Sequence, residues 1–413
     1  MENFTDNYER AYILFPSLDN NVFDDYRLEE IVDLCKSAGA DVVGYCVQKI
    51  KVISPSTFMG LGKLEEIKDD VIKNADLIVF DGALSPAQSR NISDIFDGIK
   101  VIDRTGLILD IFAINANTRE GKLQVELAQL KYLYPRLVGQ GTRLSRLGGG
   151  IGTRGPGETQ LETDRRHIRQ RIVNIEREIA EISERRKLQK DRRTKNSVKT
   201  IALTGYTNAG KSSLLNALSG SNVLVQDRLF ATLDPSARKI VLDDISIILI
   251  DTVGFIRDIP TDLIEAFKST LESAVNADIV LNVCDATGDY LNQLEVTEKT
   301  LSELNCTAPI IKVFNKADKI TDFTDYPKSA IFVSALTGLG LDKLKNKLKE
   351  TLQDSYLKCK ISLPFDKISL FFSLTKYAES YEISYTDDGA VADLTIKKIN
   401  LGKFSTLIKL KEL

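Results

Sequence analysis

One octapeptide, Gly205 to Ser212, restricts this chain more strongly than any other segment, because it fits the pattern G-x-x-x-x-G-K-[ST]. A run typical of a buried strand precedes it at 199–204, and a run typical of an amphipathic helix follows at 213–218. A phosphate-binding loop occurs in this order of elements. Its glycines let the backbone curl so that N–H groups and a helix N-terminus point at one anion. The octapeptide therefore predicts nucleoside triphosphate binding, with a glycine turn beside a solvated lysine as the alternative.

Separate roles follow for the residues of the octapeptide and for a second strand end. Lys211 should bridge the β- and γ-phosphates, and Ser212 should ligate Mg²⁺. The predicted nucleotide contacts here are Gly205, Asn208, Ala209, Gly210, Lys211, Ser212 and Ser213. The apolar run 245–250 ends in D-x-x-G. Asp251 should hold Mg²⁺ through a water molecule, and the Gly254 N–H should reach the γ-phosphate.

A third strand end identifies the base. Asn315, Lys316 and Asp318 form N-K-x-D after the apolar run 309–314. The Asp318 carboxylate can accept hydrogen bonds from guanine N1–H and from the exocyclic amino group, and adenine offers neither. A site that leaves a buried carboxylate unpaired rejects the analogue by roughly 10⁴-fold. This motif therefore predicts guanine rather than adenine.

A fourth strand-like run, 330–333, ends in Ser334 and Ala335. The Ala335 backbone N–H should contact guanine O6. The four motifs occur in the order and spacing of one G domain with the Ras-like P-loop fold. The sequence thus predicts a site for GTP and its product GDP, with Mg²⁺ as the metal.

The residues that would catalyse hydrolysis are harder to predict from the sequence than those that bind the nucleotide. Thr232 is the predicted switch threonine, touching Mg²⁺ and the γ-phosphate only in the GTP state. Phe255 follows D-x-x-G, where Ras-like enzymes have a glutamine that orients water, so slow intrinsic hydrolysis is expected. Asn208 either helps to hold a monovalent cation such as K⁺ in place of an arginine finger or stiffens the loop. A partner that orders the switches is a second source of activation. The predicted catalytic residues are Lys211, Thr232, Gly254 and Asn208.

Composition narrows the remaining possibilities. The 413 residues are 43% hydrophobic and 27% charged with a formal net charge of −3, so nucleic-acid binding would need a local basic surface. Apolar runs fall short of the roughly 20 residues of a membrane helix, and the acidic N-terminus lacks a signal-peptide pattern. Five scattered cysteines without C-x-x-C indicate reduced thiols. We expect a cytoplasmic protein without membrane insertion, and a monomer, since no feature demands a dimer. His167, the single histidine, is expected to be a solvated helix residue.

Residues 1–115 form a predicted N-terminal domain. Strand-like and helix-like runs alternate from Ala11 to Ile102, which predicts a parallel sheet flanked by helices. One predicted helix covers 61–73. The glycine-rich segment 60–63 is interpreted as a loop before that helix, and contact with phosphate or an RNA backbone is the less favoured interpretation.

Residues 116–195 are predicted to form an antiparallel helical hairpin. Two series of apolar residues alternate spacings of three and four, as in a coiled-coil seam. They are Leu123, Leu127, Leu130, Tyr134 and Leu137, then Ile168, Ile172, Ile175, Ile179 and Ile182. Each series alone is also compatible with an ordinary core helix, but two matched series about one loop favour the hairpin.

The loop of this hairpin, 139–157, has eight glycines, three arginines and no acidic residue. The helix after it has twelve Lys/Arg against five Asp/Glu between Arg165 and Lys195. Positive charge without acidic neighbours suits phosphate, so this arm is predicted to bind RNA by charge and shape. A flexible linker beside a solvated helix face is the alternative. The predicted RNA contacts are Arg143, Arg146, Arg154, Arg165 and Arg166.

The rest of the chain divides into a G domain, 196–356, and a small C-terminal α+β domain, 357–413. The latter has a predicted helix and a β-hairpin that turns at 387–389. The chain is therefore predicted to be a multidomain α/β protein with a helical hairpin between its two larger α/β domains.

Five stretches also carry a resemblance to a known family. They are Phe80–Pro86, Arg119–Leu130, Leu144–Gln160, Phe230–Pro235 and Asp251–Phe255. These segments resemble the HflX family of ribosome-associated GTPases, in the Obg-HflX group of the translation-factor class, and the resemblance covers nearly the whole chain. An apolar residue at Phe255 fits that family, whereas the loop 59–63 departs from it.

The resemblance implies binding to the large ribosomal subunit through its RNA, with the hairpin tip reaching toward the peptidyl-transferase region. It also implies GTP-dependent splitting or rescue of stalled ribosomes, notably under stress, with hydrolysis stimulated by the ribosome. Two alternatives stay open. One is a ribosome-assembly GTPase on immature large subunits, and the other is a regulatory GTPase whose hairpin binds a protein partner.

Overall fold

The computed structural model describes most of the chain. Its described residues are 8–17, 25–137, 156–195, 199–220, 229–230, 232–242, 245–257, 274–324, 326–354, 356–397 and 404. Within this part of the chain, no helix combines the length and the apolar character needed to cross a membrane. The predicted RNA contacts Arg143, Arg146 and Arg154 lie outside the described residues.

A parallel sheet flanked by helices forms the N-terminal unit. Its elements are β1 (Glu9–Ser17), α1 (Asp25–Ser37), β2 (Ala40–Lys49), α2 (Leu61–Glu66), α3 (Lys68–Asn74), β3 (Leu77–Phe80), α4 (Pro86–Ile95), β4 (Lys100–Asp103) and α5 (Arg104–Asn115). The strand order is β2-β1-β3-β4, and all neighbouring strands are parallel. Alternate residues of β1 enter different cores, with Ile13 on one face and Leu14 on the other. Burial of both faces explains why β1 and β3 are continuous apolar runs.

The single helix predicted for 61–73 is wrong in detail. It is two helices, α2 and α3, that meet at Ile67 with φ −94° and ψ −3°. Leu64, Ile67 and Val71 keep helical spacing across the break and all contact the same core, so the apolar pattern could not reveal it. The predicted loop 60–63 is also mostly helical, because α2 begins at Leu61 and Gly60 precedes it as the cap residue.

The hairpin prediction is confirmed by α6 (Arg119–Leu137) and α7 (Pro156–Lys195). Two ion pairs show that the helices are antiparallel, because Arg119 near the start of α6 pairs with Glu178, and Glu126 further along α6 pairs with the earlier residue Arg171. The seam buries Leu123, Leu127 and Ile175, with Leu130, Ile172, Ile179 and Ile182 packed against them. The second helix begins at Pro156, inside the predicted loop, since proline is well suited to a first helical turn. His167 is exposed on α7, as predicted.

The G domain is built on a six-stranded sheet. Its elements are β5 (Lys199–Gly205), α8 (Lys211–Ser219), β6 (Ser236–Leu242), β7 (Ile245–Asp251), β8 (Ile279–Asp285), α9 (Tyr290–Glu303), β9 (Ile310–Asn315), β10 (Ile331–Phe332) and α10 (Leu341–Asp354). The strand order is β10-β9-β8-β5-β7-β6, and only β6 is antiparallel to its neighbour. The carboxyl ends of β5, β7, β9 and β10 therefore share one edge, where open α/β sheets bind ligands.

A three-stranded antiparallel sheet follows the G domain. Its elements are β11 (Tyr356–Leu363), α11 (Phe365–Leu374), β12 (Ala378–Thr386) and β13 (Gly389–Lys397). The strand order is β11-β13-β12. The predicted hairpin is present, with Thr386 paired to Gly389 across its turn.

One apolar cluster crosses from the N-terminal unit into the G domain, and we call it the shared core. It contains Ile31 of α1, Phe112 of α5 and Val125 of α6. From the G domain it contains Tyr206, Leu229, Phe230, Leu233, Val253 and Ile256. The loops on either side of the predicted nucleotide site are thus packed against the N-terminal unit.

Candidate nucleotide-binding site

The predicted phosphate-binding loop has the geometry that its sequence requires. It connects the end of β5 at Gly205 to the start of α8 at Lys211. Gly210 has φ +84°, and a Cβ there would overlap the side-chain amide of Asn315. A side chain at position 210 would therefore strain the backbone and displace the side chain of Asn315, the first residue of N-K-x-D. Ser212 and Ser213 lie in the first turn of α8, where backbone N–H groups are available to an anion.

Lys211 is buried beneath this loop. Its Nζ donates to the carbonyl oxygens of Tyr206 at 2.8 Å and Gly205 at 3.2 Å. Burial lowers the pKa of Lys211 to about 8, and the nearby Asp251 carboxylate opposes that shift. The ammonium group is thus held away from water, where an arriving phosphate would be a stronger partner than two carbonyls.

Three oxygen-bearing side chains converge at the predicted Mg²⁺ position. Ser212 Oγ donates to Asp251 Oδ2 at 2.6 Å, and Thr232 Oγ1 lies 3.0 Å from Ser212 Oγ and 3.2 Å from Asp251 Oδ2. Burial raises the pKa of Asp251, while Lys211 and the two hydroxyls act to lower it. Within the described part of the chain, Asp251 Oδ1 is buried and has no hydrogen-bond partner. A buried carboxylate oxygen with no partner, beside two hydroxyls, fits a hard cation such as Mg²⁺.

The D-x-x-G segment pairs with the phosphate-binding loop through its backbone. The Phe255 N–H donates to the Gly205 carbonyl at 3.0 Å, and the Thr207 N–H donates to the Phe255 carbonyl at 2.8 Å. A Cβ at Gly254 would lie 2.9 Å from the backbone Cα of Thr207, so glycine is needed for this close approach. The Phe255 ring is 2% exposed and offers no hydrogen bond to an attacking water, as the sequence predicts.

The predicted guanine-binding loops are joined by Asn315. Its Nδ2 donates to the Ala209 carbonyl at 2.9 Å, and its Oδ1 accepts from the Ala335 N–H at 3.1 Å. Lys316 has φ +62° and pairs with Asp285 of β8 at 2.6 Å. The Ala335 N–H already donates to Asn315 Oδ1. To contact guanine O6 as well, this N–H would have to be shared between the base and Asn315.

The other two members of these loops differ in exposure. Asp318 is exposed at the end of β9, where a base could reach its carboxylate, whereas Ser334 is buried. Ser334 Oγ accepts from the Thr337 N–H at 3.1 Å and so shapes the loop. The structure therefore brings the four predicted motifs to one edge of the sheet.

Asn208 and the hairpin arginines stand outside this cluster. Asn208 is exposed with φ +57°, and its side chain makes no hydrogen bond to any residue in the described ranges. Arg165 lies over the ring of Tyr134, 5.4 Å from its centroid. Its guanidinium group therefore already makes a cation–π contact within the hairpin. Arg166 is exposed on α7. The loop-stiffening interpretation of Asn208 thus has no contact to support it here.

Sequence reasoning missed a buried polar cluster beside the phosphate-binding loop. The Tyr206 hydroxyl donates to Glu30 of α1 and accepts from the Arg257 N–H at 2.9 Å. Arg104, at the start of α5, pairs with Glu30 and, at 2.7 Å, with Asp81. Burial alone would lower the pKa of Arg104. The two carboxylates together raise it by more than burial lowers it, so the guanidinium stays charged. The signal that could have revealed this cluster is an arginine at the start of a largely apolar helix.

Comparison with known families agrees with this geometry. Residues 25–113 match a family model described as GTP-binding GTPase N-terminal, and 115–193 match one described as GTP-binding GTPase Middle Region. Residues 200–316 match a model described as 50S ribosome-binding GTPase.

Similar proteins cover nearly the same length. The chain is 46% identical over 393 residues to a GTPase HflX of Caldanaerobacter subterraneus subsp. tengcongensis, spanning 94% of this chain and 91% of the relative. It is 43% identical over 348 residues to a GTPase HflX of Escherichia coli K12, spanning 82% of each. A solved GTP-binding protein of Sulfolobus solfataricus in complex with GDP is 25% identical, with a TM-score of 0.45, over 84% of this chain and 99% of that one.

Proposed function

This chain belongs to the HflX family of GTPases and hydrolyses GTP, and from that premise we propose that it is a switch that acts on the ribosome in the cytoplasm. In the GTP state it binds the large ribosomal subunit and splits or rescues stalled ribosomes, and hydrolysis permits release. The observation that carries the switch is the position of Thr232, whose hydroxyl meets Ser212 and Asp251 at the predicted metal position.

The chemistry of the site is positioning and charge stabilisation. Mg²⁺ would supply positive charge between the β- and γ-phosphates. The hydroxyls of Ser212 and Thr232 would hold it directly, and Asp251 would hold it through water. Lys211 would exchange its two carbonyl partners for phosphate oxygens. The Gly254 N–H would bind the γ-phosphate, so that Thr232 and Gly254 contact the nucleotide together only in the GTP state.

Activation has to come from outside this set of side chains. The buried Phe255 cannot orient a water molecule, and the exposed Asn208 is available to help hold K⁺ beside the phosphates. Docking on the large subunit would order the two switch segments and complete the site. We therefore expect slow hydrolysis by the free protein and fast hydrolysis on the ribosome.

The ribosome contact is proposed for the hairpin and its tip. The tip residues Arg143, Arg146 and Arg154 have no acidic neighbours in the loop 139–157, and Arg166 is exposed on the adjoining helix. Positive charge with glycine on either side suits the RNA phosphate backbone. The description of the matching G-domain family as 50S ribosome-binding supports the same partner.

The test is GTP hydrolysis with and without purified large subunits, in potassium and in sodium. We expect strong stimulation by the subunit, and its loss when Arg143, Arg146 and Arg154 are all changed to Glu, with nucleotide affinity unchanged. The matched control reverses three exposed lysines of α9 and α10, Lys299, Lys343 and Lys347, and should keep stimulation. Loss of activity in sodium would support the cation role of Asn208.

Other outcomes would point elsewhere. Subunit binding that survives reversal of the three tip arginines would make the RNA-tip proposal wrong. Absence of stimulation in both salts would favour a regulatory GTPase with a protein partner. A sedimentation profile in which the protein travels with immature rather than mature large subunits would indicate the assembly function.

A further inference from the structure

The loop that carries Thr232 is anchored on both sides by the N-terminal unit and the hairpin. On one side, the Asn115 amide donates to the Phe230 carbonyl at 2.9 Å, and the rings of Phe112 and Phe230 pack edge to face with centroids 4.6 Å apart. On the other side stands Asp234, two residues beyond Thr232. The threonine therefore lies in the middle of a five-residue span that is held at both ends.

Asp234 binds the backbone just ahead of α6. Its Oδ2 accepts from the N–H groups of Asn117 at 2.9 Å and Thr118 at 2.8 Å. The Thr118 hydroxyl donates to Asp234 Oδ1 and accepts from the Gly121 N–H at 3.0 Å. A carboxylate at the N-terminus of a helix is also stabilised by the helix dipole. One side chain thus ties the switch loop to the start of the hairpin.

Gly121 shows that this contact is sterically specific. A Cβ at position 121 would overlap Asp234 Oδ1, so any other residue would displace the carboxylate. Leu233, between Thr232 and Asp234, is 1% exposed in the shared core. With Leu233 packed and Asp234 bonded, the backbone leaving Thr232 has little freedom to move its hydroxyl away from Ser212 and Asp251.

We propose that Asp234 is a positioning residue for GTP hydrolysis, which holds Thr232 at the magnesium position by binding the backbone immediately before α6. The proposal rests on the role of Thr232 in the proposed function. It also makes the hairpin part of the switch, because α6 extends about 28 Å from Asp234 toward the tip at 1.5 Å per residue. A tilt of α6 would move Asp234, and movement of Asp234 would move Thr232.

The experiment measures kcat of the full chain together with affinities for GDP and for a non-hydrolysable GTP analogue. For Asp234→Ala we expect kcat and analogue affinity to fall by about tenfold each, with GDP affinity within about twofold, since Thr232 contacts only the triphosphate state. Asp278→Asn is the matched control. Asp278 accepts from the Thr200 N–H at 2.8 Å and from its hydroxyl, at the end of β5 remote from the nucleotide.

A second variant displaces the carboxylate without changing it. Gly121→Ala ordinarily stabilises a helix, yet here we expect it to reproduce the loss of kcat and of analogue affinity. Gly62→Ala in α2 is its control, because a Cβ at Gly62 meets no heavy atom within 4 Å. Agreement between Asp234→Ala and Gly121→Ala would tie the effect to the contact itself.

Thr232→Ala separates the proposal from its premise. If Thr232→Ala lowers kcat and analogue affinity but Asp234→Ala lowers neither, the positioning role is wrong and the proposed switch stands. If Asp234→Ala weakens GDP and the analogue equally, Asp234 is merely structural and the proposal is overturned. If Thr232→Ala changes neither quantity, the role of Thr232 fails, and the positioning role fails with it.

Discussion

Lys211 shows how burial tunes a residue that must bind a polyanion. Its ammonium group donates to the carbonyl oxygens of Gly205 and Tyr206, and burial lowers its pKa to about 8. Phosphate oxygens favour the charged form, so nucleotide binding should raise that pKa again. Below pH 8 the lysine is already charged in the free protein, so its protonation should not make nucleotide affinity depend on pH. As the pH rises through 8, a proton has to be taken up with the nucleotide, and affinity should fall by up to about tenfold per pH unit.

Calorimetry in two buffers of different ionisation enthalpy measures this proton uptake directly. We expect uptake to grow from near zero at about pH 7 toward one proton above the pKa of Lys211. Lys211→Arg is the control, because a guanidinium stays charged throughout this pH range. The variant therefore loses the proton uptake that is due to Lys211 and keeps any uptake that is due to the guanine ring. Equal uptake by the two proteins would show that Lys211 does not titrate in this range.

The four motifs that meet at the candidate nucleotide site were predictable because each motif is local. A strand that ends in a glycine-rich loop or in N-K-x-D needs only a short window of sequence to be recognised. The contacts of Asp234 were not predictable, since it binds Asn117 and Thr118 more than a hundred residues earlier in the chain. No periodicity or motif links positions at that separation. The same holds for the bond between Tyr206 and Glu30.

At the scale of elements, the hairpin depends on a narrow apolar seam. Ile175 is fully buried between Leu123 and Leu127, whereas Val173 on the same helix is 49% exposed. We expect Ile175→Ala to destabilise the hairpin by about 2–4 kcal/mol through lost burial and the cavity left behind. The control, Val173→Ala, should change stability by less than about 0.5 kcal/mol. Urea unfolding followed by circular dichroism measures both, and equal effects would show that the seam does not hold the helices together.

Periodicity predicted this seam well and failed where burial is not one-sided. Helix α5 buries Leu107, Ile108 and Leu109 in succession, so apolar residues cover most of its surface and no 3.6-residue period remains for a pattern to detect. The break between α2 and α3 was missed for the opposite reason. Leu64, Ile67 and Val71 keep helical spacing across it, so the apolar pattern predicts one continuous helix. Backbone breaks and all-round burial depend on the surrounding structure rather than on local pattern.

At the scale of the whole molecule, the N-terminal unit and the G domain are joined through the two switch segments. The shared core includes Leu233 before Asp234 and Val253 within D-x-x-G. Arg104 donates to the carbonyl of Arg257 at 3.4 Å, just beyond that motif. Any rearrangement of the switches on hydrolysis must therefore repack or release contacts with α1, α5 and α6. The domain boundaries drawn from sequence stay predictions, and β11, which begins at Tyr356, starts one residue before the predicted C-terminal domain.

Hydrogen exchange of the full chain can test whether nucleotide state reaches the N-terminal unit. We expect a non-hydrolysable GTP analogue, compared with GDP, to slow exchange several-fold at the amides of Asn117 and Thr118, because both donate to Asp234 and a fixed Thr232 stabilises that contact. Peptides from β12 and β13 serve as the internal control, since that sheet has its own core. Protection confined to the four nucleotide-binding motifs would mean that the switch acts within the G domain alone. Protection that extends to residues 104–121 would mean that the GTP state is transmitted to the start of the hairpin, the arm for which we propose ribosome binding.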